Sequence, residues 1–276
     1  MEQTDLKQIL LELLDVFTAY CEKHGLRYYL VGGTLLGAVR HQGFIPWDDD
    51  MDIGMPRPDY MRFLELTKTE PLGEEIDVIA GEAGNFMNPI GEVLHRGYRI
   101  ERRTQEYIQD RYLVKNPFID IIPQDGWPAD DDRAMALYKR MKRLRYLNQC
   151  ARARIGHGTT PLRTLAKIPP LLYAKMIGIR RINEAMIREA QETGYDSSNY
   201  VGCVVYSLYG PGERLRKEKV LPVSFVTFEG RRLPAPADPD YYLSRLYGDY
   251  MKLPDEKNRE NHGIRVFRNE QAGKDE

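Results

Sequence analysis

Four aspartates, Asp48, Asp49, Asp50 and Asp52, lie within five consecutive positions, directly after the glycine-punctuated run "LVGGTLLGAVRHQGFIPW". Carboxylates at that density repel one another unless water, a cation or protons offset them. A fold must leave them in solvent or make use of them. "Asp50-Met51-Asp52-Ile53" alternates acid with apolar, the pattern of a strand with one buried face. That pattern sets Asp50 and Asp52 on one side and Met51 and Ile53 in the core. Two carboxylates a few ångströms apart offer an all-oxygen site to a hard divalent cation, Mg²⁺ by preference and Mn²⁺ as the alternative.

Two further segments bear on the same chemistry. "Phe118-Ile119-Asp120-Ile121-Ile122" carries one acid inside an apolar run, where burial is costly unless the carboxylate serves a metal or a hydrogen-bond network. A strand beside that of Asp50 and Asp52 would make Asp120 a third ligand or a general base. Gly32-Gly33-Thr34 stands where a short strand, 27–31, turns into a helix. Glycines let the backbone approach an anion closely, and the helix N-terminus and the Thr hydroxyl offer donors to phosphate oxygens. A phosphate cradle beside paired carboxylates implies phosphoryl chemistry. Each element alone has a plainer reading: a structural turn, a hydrogen-bonded buried acid, or a capping triplet such as Asp130-Asp131-Asp132. Their order and spacing together favour one site.

With 276 residues, 42% of them hydrophobic, and 18 tyrosines, the chain can bury one large domain or two small ones. Leu6, Ile9, Leu10, Leu13, Phe17, Tyr20 and Cys21 predict a helix capped by Thr4 or Asp5 and ended by Gly25. Thr34 is expected to cap a short helix that Gly43 stops. Residues 50–55 read as a strand, 59–69 as a helix after Pro56 and Pro58, and 76–80, 90–94, 97–103 and 116–128 as strands. Between Arg133 and Arg188 fourteen residues are Lys or Arg and one, Glu184, is acidic. A long helix is expected there, broken at Gly156-His157-Gly158, and Pro169-Pro170 should break the next. A strand at 225–230 and a helix at 238–250 return to mixed character, before a polar tail from Glu270. The organisation expected is one α/β (α+β) catalytic domain over 1–276. It has a basic helical insertion at about 129–195, and its C-terminal strand and helix pack back onto the part that precedes the insertion.

The net charge of -1 and the lack of a recognition motif in the basic segment argue against nucleic acid as a partner. Cys21, Cys150 and Cys203 form neither a metal-type spacing nor a disulfide framework, which suits a reducing compartment. The N-terminus lacks the basic-then-apolar layout of a signal peptide. The longest apolar candidate, 165–179, is interrupted by Lys167, Pro169, Pro170 and Lys175, short of the roughly 20 apolar residues of a membrane span. A cytoplasmic location is expected. The basic segment with its apolar "IPPLLYAKMIGI" suits peripheral contact over 133–188 with an anionic inner membrane face, or else forms a solvated face balanced by acids elsewhere.

Gly-Gly-Thr, Asp-x-Asp on a following strand and a third acid on a later one resemble the nucleotidyltransferase superfamily. The fuller strings "GGTLLGAVRHQGFIPWDDDMDI", "PRPDY", "FIDIIPQDGWP" and "FEGRRLPAPADPDYYLSRLYGDYMKLP" resemble the LicD family over most of the chain, the basic middle excepted. That family includes bacterial phosphocholine transferases of surface glycans and, more distantly, animal fukutin-related ribitol-phosphate transferases. The resemblance implies a nucleotidyltransferase-like fold, a mixed sheet flanked by helices, and transfer of an alcohol phosphate from CDP-choline or another CDP-alcohol. The acceptor would be a sugar hydroxyl of a glycan, often lipid-linked, and the product CMP. Carried over by position, Asp50 and Asp52 look like the metal-binding pair, Asp120 like the third acid and Asp48 like a further acid of the motif. Gly32, Gly33 and Thr34 would hold diphosphate oxygens, while Asp120 completes the metal site or takes the acceptor's proton. Arg40 would neutralise the leaving CMP or pair with Asp48 or Asp49. Trp47 would wall a quaternary ammonium or pack in the core. Two other readings remain open: a nucleotidyltransferase that consumes a nucleoside triphosphate and releases pyrophosphate, and a catalytically silent protein that docks on membrane or glycan.

Overall fold

A computed structural model describes residues 3–101, 108–109, 114–154, 161–255, 259 and 264–269. The tail from Glu270 and the Gly156-His157-Gly158 break lie outside these residues. A two-residue strand β1 (Gln3–Thr4) precedes helix α1 (Leu6–His24). Asp5 starts α1 by accepting the Lys7 N–H at 3.0 Å, and Gly25, at φ 61°, closes it in the left-handed conformation. The predicted stripe from Ile9 to Cys21 is its buried face.

Next come β2 (Tyr29–Leu30), α2 (Gly32–His41), β3 (Asp52–Pro56) and α3 (Arg57–Leu66). They are followed by β4 (Ile76–Ala80), β5 (Gly91–His95), β6 (Tyr98–Glu101) and the long β7 (Phe118–Trp127). Helix α3 begins two residues earlier than the sequence reading, because Pro56 and Pro58 fit the first turn, where no N–H is needed, and so start the helix.

The main sheet is mixed and runs β2-β3-β7-β5-β4; further along β7 the strands β8 (Tyr200–Gly202) and β9 (Leu215–Arg216) extend it to seven. Parallel pairing of β3 with β7 sets Asp52 opposite Asp120, Ile53 opposite Ile121 and Gly54 opposite Ile122. On the other edge of β7, Glu92 of β5 faces Asp120. Ile53, Ile119 and Ile121 are fully buried on the reverse face, in the larger apolar core with α1, α2 and α3. One ion cluster ties the exits of β3 and β7 together. Buried Arg57 donates twice to Asp125, at 2.6 and 2.9 Å, and also pairs with Glu82, which accepts from the Tyr60 hydroxyl at 2.9 Å.

The basic segment folds as α4 (Asp131–Arg152), α5 (Pro161–Ile177) and α6 (Ile179–Ala190). A second apolar cluster joins these helices to Trp127, at the end of β7, and to Val204 and Val205. Contrary to the expected break, α5 runs through Pro169 and Pro170. Both prolines remove backbone donors, but Leu171 and Ala174 anchor the following turn in the second cluster. The hairpin β10 (Ser224–Phe228) and β11 (Arg231–Ala235) leads to α7 (Pro239–Tyr247), which Asp238 caps by accepting the Tyr241 N–H at 3.0 Å. Strand β12 (Arg265–Arg268) lies between β1 and β6 in a separate three-stranded sheet. Among the described residues no helix is long and apolar enough to cross a membrane.

Candidate active site

The acid cluster forms where β3 enters the sheet. Met51 and Ile53 are buried as the alternation requires, but the strand starts at Asp52, so Asp50 belongs to the preceding loop. The ladder fails there because β2 ends opposite Ile53; before Asp52 it keeps the bond from the Asp120 N–H to the Met51 carbonyl, 2.8 Å. The loop nevertheless returns its acids to the site. Asp48 and Asp50 lie close enough to share a proton in a hydrogen bond, and burial, then Asp50, pushes Asp48 up to about 7. Asp52 is held well above the usual carboxylate range by burial, then by Asp50, Asp120 and Asp48, against the opposing effect of a hydrogen bond from the Gly33 N–H.

The glycine pair makes room for these carboxylates. A Cβ at Gly32, where φ is 53°, would sit 2.7 Å from Asp52 Oδ2, and one at Gly33 would sit 3.0 Å from Asp48 Oδ2. Helix α2 starts at Gly32 with Val31 as its cap, so Thr34 lies inside the helix rather than capping it. Val31 has no side-chain acceptor; the Asp52 carboxylate serves the free Gly33 amide instead. The Thr34 hydroxyl accepts the Asp52 N–H at 2.8 Å, and the Gly32 N–H donates to the Tyr242 hydroxyl at 3.3 Å. Donors read from the sequence as a phosphate cradle are thus engaged by the protein's own groups.

Adjacent strands lie about 4.8 Å apart. Two carboxylates at that distance repel by roughly 3 kcal/mol at an effective dielectric of about 20, which exceeds the roughly 1.4 kcal/mol of one pK unit. A row of such groups at neutral pH needs shared protons or a cation. Among the described residues no three His, Cys, Asp or Glu side chains are already gathered as a finished ligand set. The donor chemistry fits a hard cation all the same: every candidate is a carboxylate, and Asp52 and Asp120 are paired by strand register.

Arg40 donates from Nε to His41 Nε2 at 3.0 Å and from Nη1 to the Tyr250 carbonyl at 2.9 Å. Trp47 packs half-buried against the main core, with the Arg259 guanidinium 4.7 Å above its ring. The sequence reading missed several neighbours of the acids. Glu92, 3% exposed, extends the row Asp52–Asp120 across a third strand. It was legible by the rule that found Asp120, a lone acid in the apolar stretch "IGEVL". Tyr206, Tyr209, Tyr242 and Tyr247 also gather here. Tyr206 is raised by burial and by nearby Asp120 and Glu92, Tyr209 by burial, Asp52 and Asp50 among others. No local pattern singles these tyrosines out among 18.

A family model described as "LicD/FKTN/FKRP, nucleotidyltransferase domain" matches residues 25–123, a span that holds all four acids, Asp48, Asp50, Asp52 and Asp120. The lipopolysaccharide cholinephosphotransferase LicD of Haemophilus influenzae is 32% identical over 267 residues, covering 93% of this chain and 94% of that protein. The chain belongs to the LicD family. Shorter likenesses exist to an uncharacterized protein of Rickettsia typhi, 47% identical over 66 residues (22% of this chain, 21% of that protein). The ribitol 5-phosphate transferase FKRP of Mus musculus is 33% identical over 111 residues, 38% of this chain and 20% of that protein. The matched LicD domain ends before α4, so the basic helices lie outside it.

Proposed function

We propose that the chain transfers phosphocholine, or a related alcohol phosphate, from a CDP-activated donor to a sugar hydroxyl of a surface-glycan precursor, releasing CMP. The observation that carries this reading is the convergence of Asp48, Asp50, Asp52 and Asp120 at the start of α2 in a member of the LicD family. Asp50, Asp52 and Asp120 would hold Mg²⁺, or Mn²⁺, which when bound would neutralise diphosphate charge. Asp120 completes that set or takes the proton of the acceptor hydroxyl. The hydroxyl oxygen bonds to the alcohol-bearing phosphorus as the bond from that phosphorus to the CMP oxygen breaks.

Choline is supported by the name of the Haemophilus relative and by an aromatic pair beside the acids. The rings of Tyr209 and Tyr247 meet edge to face at 4.9 Å, and both hydroxyls feel Asp52. Such rings attract a quaternary ammonium. A lipid-linked acceptor at the inner membrane face is supported by exposed Leu172, Tyr173 and Met176 on α5, close in sequence to exposed Arg180 and Arg181. The test is CMP release from CDP-choline with Mg²⁺ and a glycan acceptor, repeated with EDTA and with Asp52→Ala. Acceptor-dependent CMP that both treatments abolish is expected. Pyrophosphate from a nucleoside triphosphate, with no CMP from any CDP-alcohol, would overturn the reading.

A further inference from the structure

A diphosphate donor approaching this site meets acids first. The groups expected to receive its oxygens are already engaged, Gly32 by Tyr242, Gly33 by Asp52 and Arg40 by His41 and Tyr250. The missing cations stand on α4. Of its seven Lys and Arg residues, Arg133, Lys139, Arg140, Lys142 and Arg143 are exposed, whereas Arg145 and Arg152 are recessed. Seven positions apart, the two share one helix face, two turns or about 10.5 Å from one another.

That face runs along the candidate site. At one end, Tyr138 covers Gly210, which opens the short turn Gly210–Glu213. Arg145, further along, is close enough to buried Glu213 to offset part of the rise that burial imposes on its carboxyl. Glu213 in turn accepts the Tyr209 N–H at 2.9 Å, and Tyr209 feels Asp50 and Asp52. At the other end Arg152 donates from Nη1 to Asn88 Oδ1 at 2.7 Å, four residues before Glu92 on the segment that enters β5. Tyr206 feels Arg152, Asp120 and Glu92 together. Arg145 therefore lies on the side of Glu213 and Tyr209, and Arg152 beside the segment that leads into Glu92. Each also keeps a buried nitrogen, Arg145 Nη1 and Arg152 Nε, with no hydrogen-bond partner among the described residues. A buried guanidinium donor without an acceptor is costly, and planar forks of this kind match phosphate oxygens.

We propose that Arg145 and Arg152 form a clamp for the diphosphate of the donor, so that the basic helix outside the matched domain supplies the anion-binding half of the site. The proposal rests on the donor assigned above. The clamp takes the phosphate oxygens on the side away from the Asp52–Asp120 row, which leaves that row for the reacting phosphorus and the acceptor.

Titration calorimetry with CDP-choline and, separately, with inorganic pyrophosphate, both in Mg²⁺, tests it on the whole chain. Arg145→Gln and Arg152→Gln are each expected to weaken both ligands on the order of 10- to 100-fold. Arg145→Lys and Arg152→Lys, which keep the charge but not the fork, recover part of that loss and guard against misfolding of the Gln variants. Arg143→Gln, on the exposed face, leaves both affinities unchanged. Unaltered binding in the Gln variants, equal weakening by Arg143→Gln, or no binding of either ligand by the native chain overturns the clamp. Native binding of pyrophosphate but not CDP-choline, lost in the Gln variants, upholds the clamp and refutes the donor.

Discussion

The string Asp-Asp-Asp occurs twice, at 48–50 and at 130–132, and the two copies sit in different surroundings. The second is exposed and serves a helix: Asp130 accepts the Arg133 N–H at 2.8 Å, and Asp131, 92% exposed at its side chain, pairs with Arg214. Acids in the first turn suit the helix dipole and cost little in solvent. The first copy is half-buried, and Asp48 and Asp50 share a hydrogen bond beside Asp52. What separates the copies is the element that follows. A helix turns the acids toward water, whereas β3 enters the sheet beside a strand that already carries Asp120.

The comparison can be pressed by substitution. Asp52→Ala should lower CMP release on the order of 10²- to 10³-fold or more and leave thermal stability equal or higher, since it relieves repulsion among buried acids. A similar loss of activity from Asp131→Ala would abolish the distinction. Arg57→Ala should cost about 3–5 kcal/mol in urea unfolding, because it leaves Asp125, 1% exposed, and Glu82 buried without their cation. That pair of contacts holds the β3–β7 register on which the first triplet depends. Met186→Ala, at a fully buried site of the second apolar cluster, should cost about 2–5 kcal/mol. If the resulting denaturation curve splits in two, α4–α6 fold as a unit separate from the sheet. Asp130→Ala should cost about 1 kcal/mol, the worth of one helix cap, with no change in the KM for the donor.

Part of the acid site was legible because strand periodicity is short-range: Met51 and Ile53 fell into the core where alternation placed them. The buried face of α1 was legible from helical spacing in the same way, whereas the mixed sheet with flanking helices was expected from the family resemblance. Thr34 was misread because a hydroxyl three residues into a glycine-led turn looks like a cap until the strand behind it is known. Prolines 169 and 170 were misread because local backbone rules carry no information about the core beneath Leu171 and Ala174. The recessed position of Arg145 and Arg152 could not be read at all. Composition makes them two of fourteen basic residues between Arg133 and Arg188, and the tertiary packing of α4 alone separates them from the rest.

The bond from Gly32 to Tyr242 joins residues 210 positions apart. A nascent chain emerging from the ribosome exposes Gly32 and the acids long before α7 exists to meet them. The catalytic face therefore matures late in synthesis, after most of the scaffold has had time to form. Chain termination just before α7 would remove the Tyr242 hydroxyl and leave the first amide of α2 without that acceptor.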